Sequence, residues 1–182
     1  MKVYVLEIGW LESERSALVS GARPGKTKLP VLAVLIDHPQ GKILFDTGCH
    51  PQAMEGYWPE HLKKIFPYYS EEGMSLPAQL ALCQTTPDEI KTVVLSHMHL
   101  DHAGNLALFP QADVYIHKAD FIYALTCVHQ STQIEDHGAY IKADIEVPIK
   151  KYHLVEEDLT LLDGVDIVTL PGHTPGVLGM VI

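Results

Sequence analysis

The sequence predicts a layered fold of mixed strands and helices, α/β in class. Three observations lead there. Apolar runs of strand length, rich in Val, Ile, Leu and Tyr and bounded by Gly, Pro or Asp, recur along the chain. Two other segments carry helical spacing and helix-start signals. No internal repeat, low-complexity tract or long linker interrupts the 182 residues, so they read as one domain of packed layers.

The first strand is expected at 2–8, in "KVYVLEI". Glu7 interrupts the apolar pattern and no small-residue cleavage site follows, so the N-terminus reads as a strand rather than a signal peptide. Strands at 30–37 and 42–46 flank "HPQGK", a hairpin turn. "GYWPEHLKKIFPYY", 56–69, is an aromatic-rich loop that reads either as a lid over a bound apolar group or as ordinary surface packing. A helix at 75–84 starts from a Ser75 cap with Pro77 in its first turn, and "TPDEI" at 86–90 reads as a short turn with a capping box from Thr86 to Glu89. Strands follow at 91–96 and 113–117, a helix at 118–127 and a strand at 165–170.

Composition restricts the function classes. No apolar stretch approaches the roughly 20 residues needed to span a bilayer, so no membrane role is expected. A formal charge of −10 repels phosphate backbones and argues against a nucleic-acid partner. Cys49, Cys83 and Cys127 are odd in number and widely spaced, which suggests free thiols in a reducing compartment, the cytoplasm by default.

"VVLSHMHLDHAGN", 93–105, sets three histidines and an aspartate directly behind an apolar run. Polar groups are costly at the end of a buried strand unless something binds them. His97 and His99 alternate as in an extended segment, so both rings can point the same way while Leu100 faces the core. Asp101 and His102 are expected at the start of a helix running through "DHAGNLALF". Imidazole and carboxylate at this density match zinc's ligand preferences, and two ligand pairs from one turn suit two close metals. In "VTLPGHTPG", 168–176, His173 sits on a tight loop and supplies the third nitrogen that a tetrahedral site with an open position requires. Asp46, at the end of "KILFD", reads as a turn residue or as a carboxylate that orients a ligating histidine.

The motif His-x-His-x-Asp-His at 97–102, with Asp-Thr-Gly at 46–48 before it and Gly-His-Thr-Pro-Gly at 172–176 after it, resembles the metallo-β-lactamase superfamily. Within it the chain is most similar to the N-acyl homoserine lactonases, through "SHMHLDHAG", "FPQADVYIHKADFIYAL" and "HGAYIKADIEVP". The resemblance implies an αββα sandwich and a hydrolase that opens acyl lactones. It implies two zinc ions, with His97, His99 and His173 on the first and Asp101 and His102 on the second. Asp101 would also relay a proton to the leaving alkoxide. The substrate implied is a small acyl lactone or related ester, and an oligomer is compatible with the pattern.

The family pattern continues to a strand bearing a bridging aspartate, a tyrosine and a last histidine, whereas "VLGMVI" ends the sequence. The resemblance thus leads to the expectation of a C-terminally incomplete domain, its second metal short of ligands and the inner face of its first sheet without its partner sheet. Three alternatives stand beside the lactonase. They are another hydrolase of the same fold acting on a thioester, phosphodiester or β-lactam, a di-iron oxidoreductase, and a metal-binding module without activity. The di-iron case fits less well, because those relatives generally carry glutamate where His99 stands.

Overall fold

Alternating residues in the first forty positions build a long hairpin. In the computed structural model, which describes residues 1–182, β1 (Lys2–Glu14) passes through α1 (Arg15–Leu18) into β2 (Lys26–His38). The strands pair antiparallel from Lys2↔Asp37 to Glu14↔Lys26, with a bulge between Glu7 and Gly9. Both strands outrun the expected 2–8 and 30–37. The bulge lets β1 continue beyond Glu7, because Gly9 (φ +143°) leaves room for the Tyr69 carbonyl oxygen, only 2.5 Å from where a Cβ would stand. The "HPQGK" turn is present: His38 pairs with Gly41 and leads into β3 (Gly41–Phe45).

The chain then forms α2 (Glu60–Ile65), β4 (Tyr68–Tyr69) and α3 (Leu76–Leu82), followed by β5 (Thr92–Val94), β6 (Asp113–His117) and α4 (Lys118–His129). The last elements are α5 (Lys142–Ile145), β7 (Lys151–Val155), β8 (Leu159–Leu162), β9 (Val165–Thr169) and β10 (Leu178–Val181). Ser75 caps α3 by accepting from the Ala78 amide, and the Thr86 amide donates to Glu89 Oε2 at 2.8 Å, as the capping box requires.

Seven strands form one sheet in the order β4-β1-β2-β3-β5-β6-β7, and three form a second in the order β10-β9-β8. The strands β3, β5, β6 and β7 run parallel, so their C-terminal ends share one edge. Burial on two faces explains why β3, β5 and β6 read as apolar runs, whereas β7, "KYHLV" at the sheet edge, is exposed at Lys151 and Leu154 and lay outside the expected strands. Leu35, Leu44 and Val93 face a core of 31 residues shared with α3 and α4, while their neighbours Ile36, Ile43 and Val94 face a second core. That second core holds Val165, Ile167 and Leu178 of the smaller sheet.

Around Ile36, Ile43 and Val94 the inner face of the first sheet is therefore covered, which corrects the expectation of a bare face there, whereas Val3, Val5 and Leu32 on the same face remain exposed. The covering strands β8 and β10 lay outside the predicted elements, because runs as short as "LTLL" and "LGMV" carry too few residues to show a period. A second correction concerns "DHAGNLALF", which forms turns and one short 3₁₀ segment, Leu106–Leu108, in place of a helix. Its backbone groups bond across the fold: the Thr47 amide donates to the His102 carbonyl at 2.7 Å, and the Gly104 amide to the Gly48 carbonyl at 2.8 Å. Bonds made to a neighbouring loop cannot also close helical turns. In the 56–69 segment Trp58 and Tyr68 are buried, the Tyr68 hydroxyl donating to the Ile8 carbonyl at 2.7 Å, while Phe66 lines a cavity beside the histidine loop. No helix is long and apolar enough to cross a membrane.

Candidate metal centre

Parallel strands deliver their following loops to a common edge, where open α/β sheets bind ligands. Here β3 leads into Asp46 and β5 into Ser96–His102, while β9 of the second, antiparallel sheet leads into the loop of His173. The Leu178 amide donates to the Ser96 carbonyl at 2.8 Å, which ties the second sheet to the histidine loop.

His97, His99 and His173 meet there. One ring nitrogen from each lies within 4.8 Å of the others, and the centroids of His97 and His99 are 4.6 Å apart with the rings nearly perpendicular. His173 Nε2 lies 3.2 Å from His99 Nδ1. Leu100 turns into the core, as the alternation predicts. Burial and the neighbouring histidines push His97 well below the usual imidazole range, and burial with the charge of His173 and His102 lowers His99 to about 3. Both rings are thus held neutral, with lone pairs available.

These residues fit a bound metal ion on a specific observation. His97 Nε2 is buried and has no hydrogen-bond partner, while its Nδ1 lies 3.0 Å from the Ser96 hydroxyl. A buried ring nitrogen without a partner is costly unless a ligand completes it. Three converging imidazoles constitute the donor set of an open tetrahedral zinc site.

Asp101 and His102 stand beside this trio as a pair. The His102 ring lies 4.0 Å from that of His97, and its Nε2 is 3.5 Å from Asp101 Oδ2. His97, His99 and His173 are the one group of three or more potential ligands that close together. Asp46 reaches His102, with Oδ2 2.8 Å from Nδ1, and accepts from the Ser96 amide at 2.7 Å and the Ser96 hydroxyl at 2.8 Å. Burial alone would lower the His102 pKa. The charge and hydrogen bond of Asp46, helped by Asp101 and Asp120, outweigh it and raise the group to about 9. Asp46 itself adopts φ +60°, an uncommon conformation for a residue other than glycine and one that Asp tolerates better than most.

Sequence reasoning missed three residues that support this arrangement. Ser96 contacts Asp46, His97 and His102, and its position directly before the motif was the available signal. The buried Asn105 side chain donates to the carbonyls of Thr47 and Cys49 at 2.7 Å each, joining the two loops. Asp120, in the first turn of α4, is fully buried and carries no sequence signal beyond its charge. Beside the trio, an apolar cavity of about 270 Å³ is lined by Leu11, Leu18, Leu29 and Phe66 and is flanked by His99 and Asp101.

The chain is similar to known proteins over its whole length. Residues 27–182 match the family model described as the metallo-beta-lactamase superfamily. The chain is 32% identical over 200 residues to the N-acyl homoserine lactonase AiiB of Rhizobium rhizogenes, covering 100% of this chain and 71% of that protein. It is 28% identical over 185 residues to an N-acyl homoserine lactonase of Bacillus cereus, covering 96% and 67%. An N-acyl homoserine lactone hydrolase solved with the product N-hexanoyl-L-homoserine at its catalytic metal centre superposes with a TM-score of 0.83 at 25% identity, over 98% of this chain and 69% of that one. A mutant of Bacillus thuringiensis AiiA with N-decanoyl-L-homoserine at its active site gives the same TM-score and identity over the same shares.

Proposed function

The chain belongs to the metallo-β-lactamase superfamily and is a metal-dependent hydrolase, and from that premise we propose that it opens the lactone ring of N-acyl homoserine lactones. The observation that carries this reading is the convergence of His97, His99 and His173 in a chain 32% identical to a lactonase. The metal proposed is zinc, with these three histidines as one ligand set and Asp101 and His102 contributing to a second. When bound, zinc supplies Lewis-acid polarisation of the ester carbonyl and lowers the pKa of water to about 7.

The protein's own groups do the rest. Ser96, held by both oxygens of Asp46, engages His97 Nδ1 and leaves Nε2 directed at the centre. Asp46 engages His102 Nδ1 in the same way, which directs Nε2 of that ring toward Asp101. Asp101, half-buried at the mouth of the apolar cavity, carries the proton to the alkoxide oxygen as the ring opens. The product is the open hydroxy acid. The cavity lined by Leu11, Leu29 and Phe66 receives the acyl chain, which binding energy places against the reacting carbonyl. N-decanoyl-L-homoserine and N-hexanoyl-L-homoserine in the active sites of the solved relatives support this substrate class.

The test is hydrolysis of N-hexanoyl-L-homoserine lactone by zinc-loaded protein, followed as product acid, with an acyl thioester and a β-lactam in parallel. Lactone opening at least about tenfold faster than either alternative supports the proposal, a margin equal to about 1.4 kcal/mol in barrier. Preference for the thioester or lactam would reassign the substrate, and inertness toward all three with zinc bound would reject the proposed reaction.

A further inference from the structure

Asp120 is 0% exposed and has no cationic side chain among its hydrogen-bond partners. Its partners are neutral donors drawn from the segments that carry the candidate ligands. Oδ2 accepts from the Met98 amide at 2.9 Å, between His97 and His99. Oδ1 accepts from the Tyr140 hydroxyl at 2.9 Å, and the Tyr140 ring stands edge-on to His99 with centroids 4.6 Å apart. The Thr174 side chain, next to His173, lies close enough to the same carboxylate to help hold it in its charged form against the effect of burial.

An aspartate in the first turn of a helix ordinarily serves that helix's own N-terminus. In α4 that task falls to His117, whose Nδ1 accepts from the Ala119 amide. Asp120 is left to point inward, where an uncompensated carboxylate would cost several kcal/mol. A carboxylate accepts through both oxygens and binds neutral donors more strongly than an amide or hydroxyl oxygen does. No apolar residue of its size could join the two segments.

We infer that Asp120 is a positioning residue for the metal centre, its carboxylate clamping the His97–His99 loop to Tyr140, whose ring stands against His99. The inference rests on the metal-dependent reading given above. Asp120 makes no hydrogen bond to a ligand ring, so it acts through the backbone of Met98 and the ring of Tyr140. It holds the ring of His99 in the orientation that brings it 3.2 Å from His173 Nε2.

The test measures zinc affinity by chelator competition and the visible spectrum of the cobalt-substituted protein in Asp120→Ala, Asp120→Asn and Tyr140→Phe, with His97→Ala as control. Folding of each metal-free variant is checked by circular dichroism. A clamp predicts a loss of about 10–100-fold in zinc affinity for D120A, a smaller loss for D120N, and a changed cobalt spectrum in both, with the metal-free fold retained. Y140F removes one donor and leaves the carboxylate, so its altered cobalt spectrum carries the test even where D120A does not fold. Wild-type affinity and spectrum in D120N and Y140F, beside a His97→Ala variant that has lost zinc, would overturn the inference and leave the metal centre standing. Unchanged zinc binding in His97→Ala would overturn the metal assignment itself, and the inference with it.

Discussion

Asp46 Oδ2 lies 2.8 Å from His102 Nδ1, across 56 positions of sequence. The same carboxylate accepts both the amide and the hydroxyl of Ser96, whose oxygen lies 3.0 Å from His97 Nδ1. One aspartate at the end of β3 therefore engages one candidate ligand directly and another through a serine. Asp46→Ala is expected to weaken zinc binding about 10–100-fold, and Ser96→Ala to act in the same direction through His97. Equilibrium dialysis against a zinc buffer measures both, and affinities equal to the parent's would count against this role.

The histidines themselves should act more severely. Alanine at His97, His99 or His173 removes one of three nitrogens from a site whose ring atoms lie within 4.8 Å. Bound zinc after exhaustive dialysis, measured by atomic emission, should fall sharply in each variant. Unchanged metal content in all three would refute the assignment.

Gly104 is expected to tolerate no side chain. A Cβ there would lie 2.6 Å from the Cys49 carbonyl carbon and would overlap the amide of His50, because the two loops of the site cross at this residue. Both neighbours are backbone and cannot swing away. Gly104→Ala should cost about 1–3 kcal/mol in unfolding free energy and also lower zinc affinity, since the Gly104–Gly48 bond ties Asp46 to the histidine loop. Urea denaturation with zinc titration checks both, and a stability within 0.5 kcal/mol of the parent would contradict the crossing, given that about 0.5 kcal/mol bounds most neutral surface changes.

Asp144 links pH to stability away from the metal centre. Burial raises its pKa from 3.8 to about 7, against the lowering effect of the Tyr57 hydroxyl that donates to Oδ1 at 2.6 Å, and Oδ2 has no partner. Between these two values the folded chain keeps the proton that the unfolded chain releases, so unfolding free energy from this group falls as pH rises from about 4 to 7 and is level beyond. The loss is on the order of a few kcal/mol. Denaturation midpoints of the parent and Asp144→Asn should converge at low pH and diverge toward neutrality, with the variant more stable. Parallel curves would refute the assignment.

Local pattern in the sequence was enough for the elements with strong short-range signals. The runs of β3 and β6, the Ser75 cap of α3 and the Thr86–Glu89 box are set by residues within a few positions of one another, and each was legible. The convergence of His97 and His99 was legible for the same reason, since an x between two histidines in an extended segment sends both rings one way. His173 was legible only in the company of the first cluster, because a single histidine on a loop specifies no partner.

Tertiary structure decided the rest. Whether "DHAGNLALF" became a helix depended on whether the amides of Thr47 and Gly104 bonded across loops, a choice that no window of nine residues contains. The strands β8 and β10 exist because the inner face of the first sheet offers Ile36, Ile43 and Val94 to cover, and runs of four residues acquire their strand form from that burial. Asp120 shows the same division most clearly. Its charge in the first turn of α4 reads as a local dipole effect, yet its carboxylate is committed to Met98 and Tyr140. Hydrogen bonds made over 20 and more positions leave no periodicity behind them, so composition and spacing specified the ligands while the fold alone selected the residues that hold them in place.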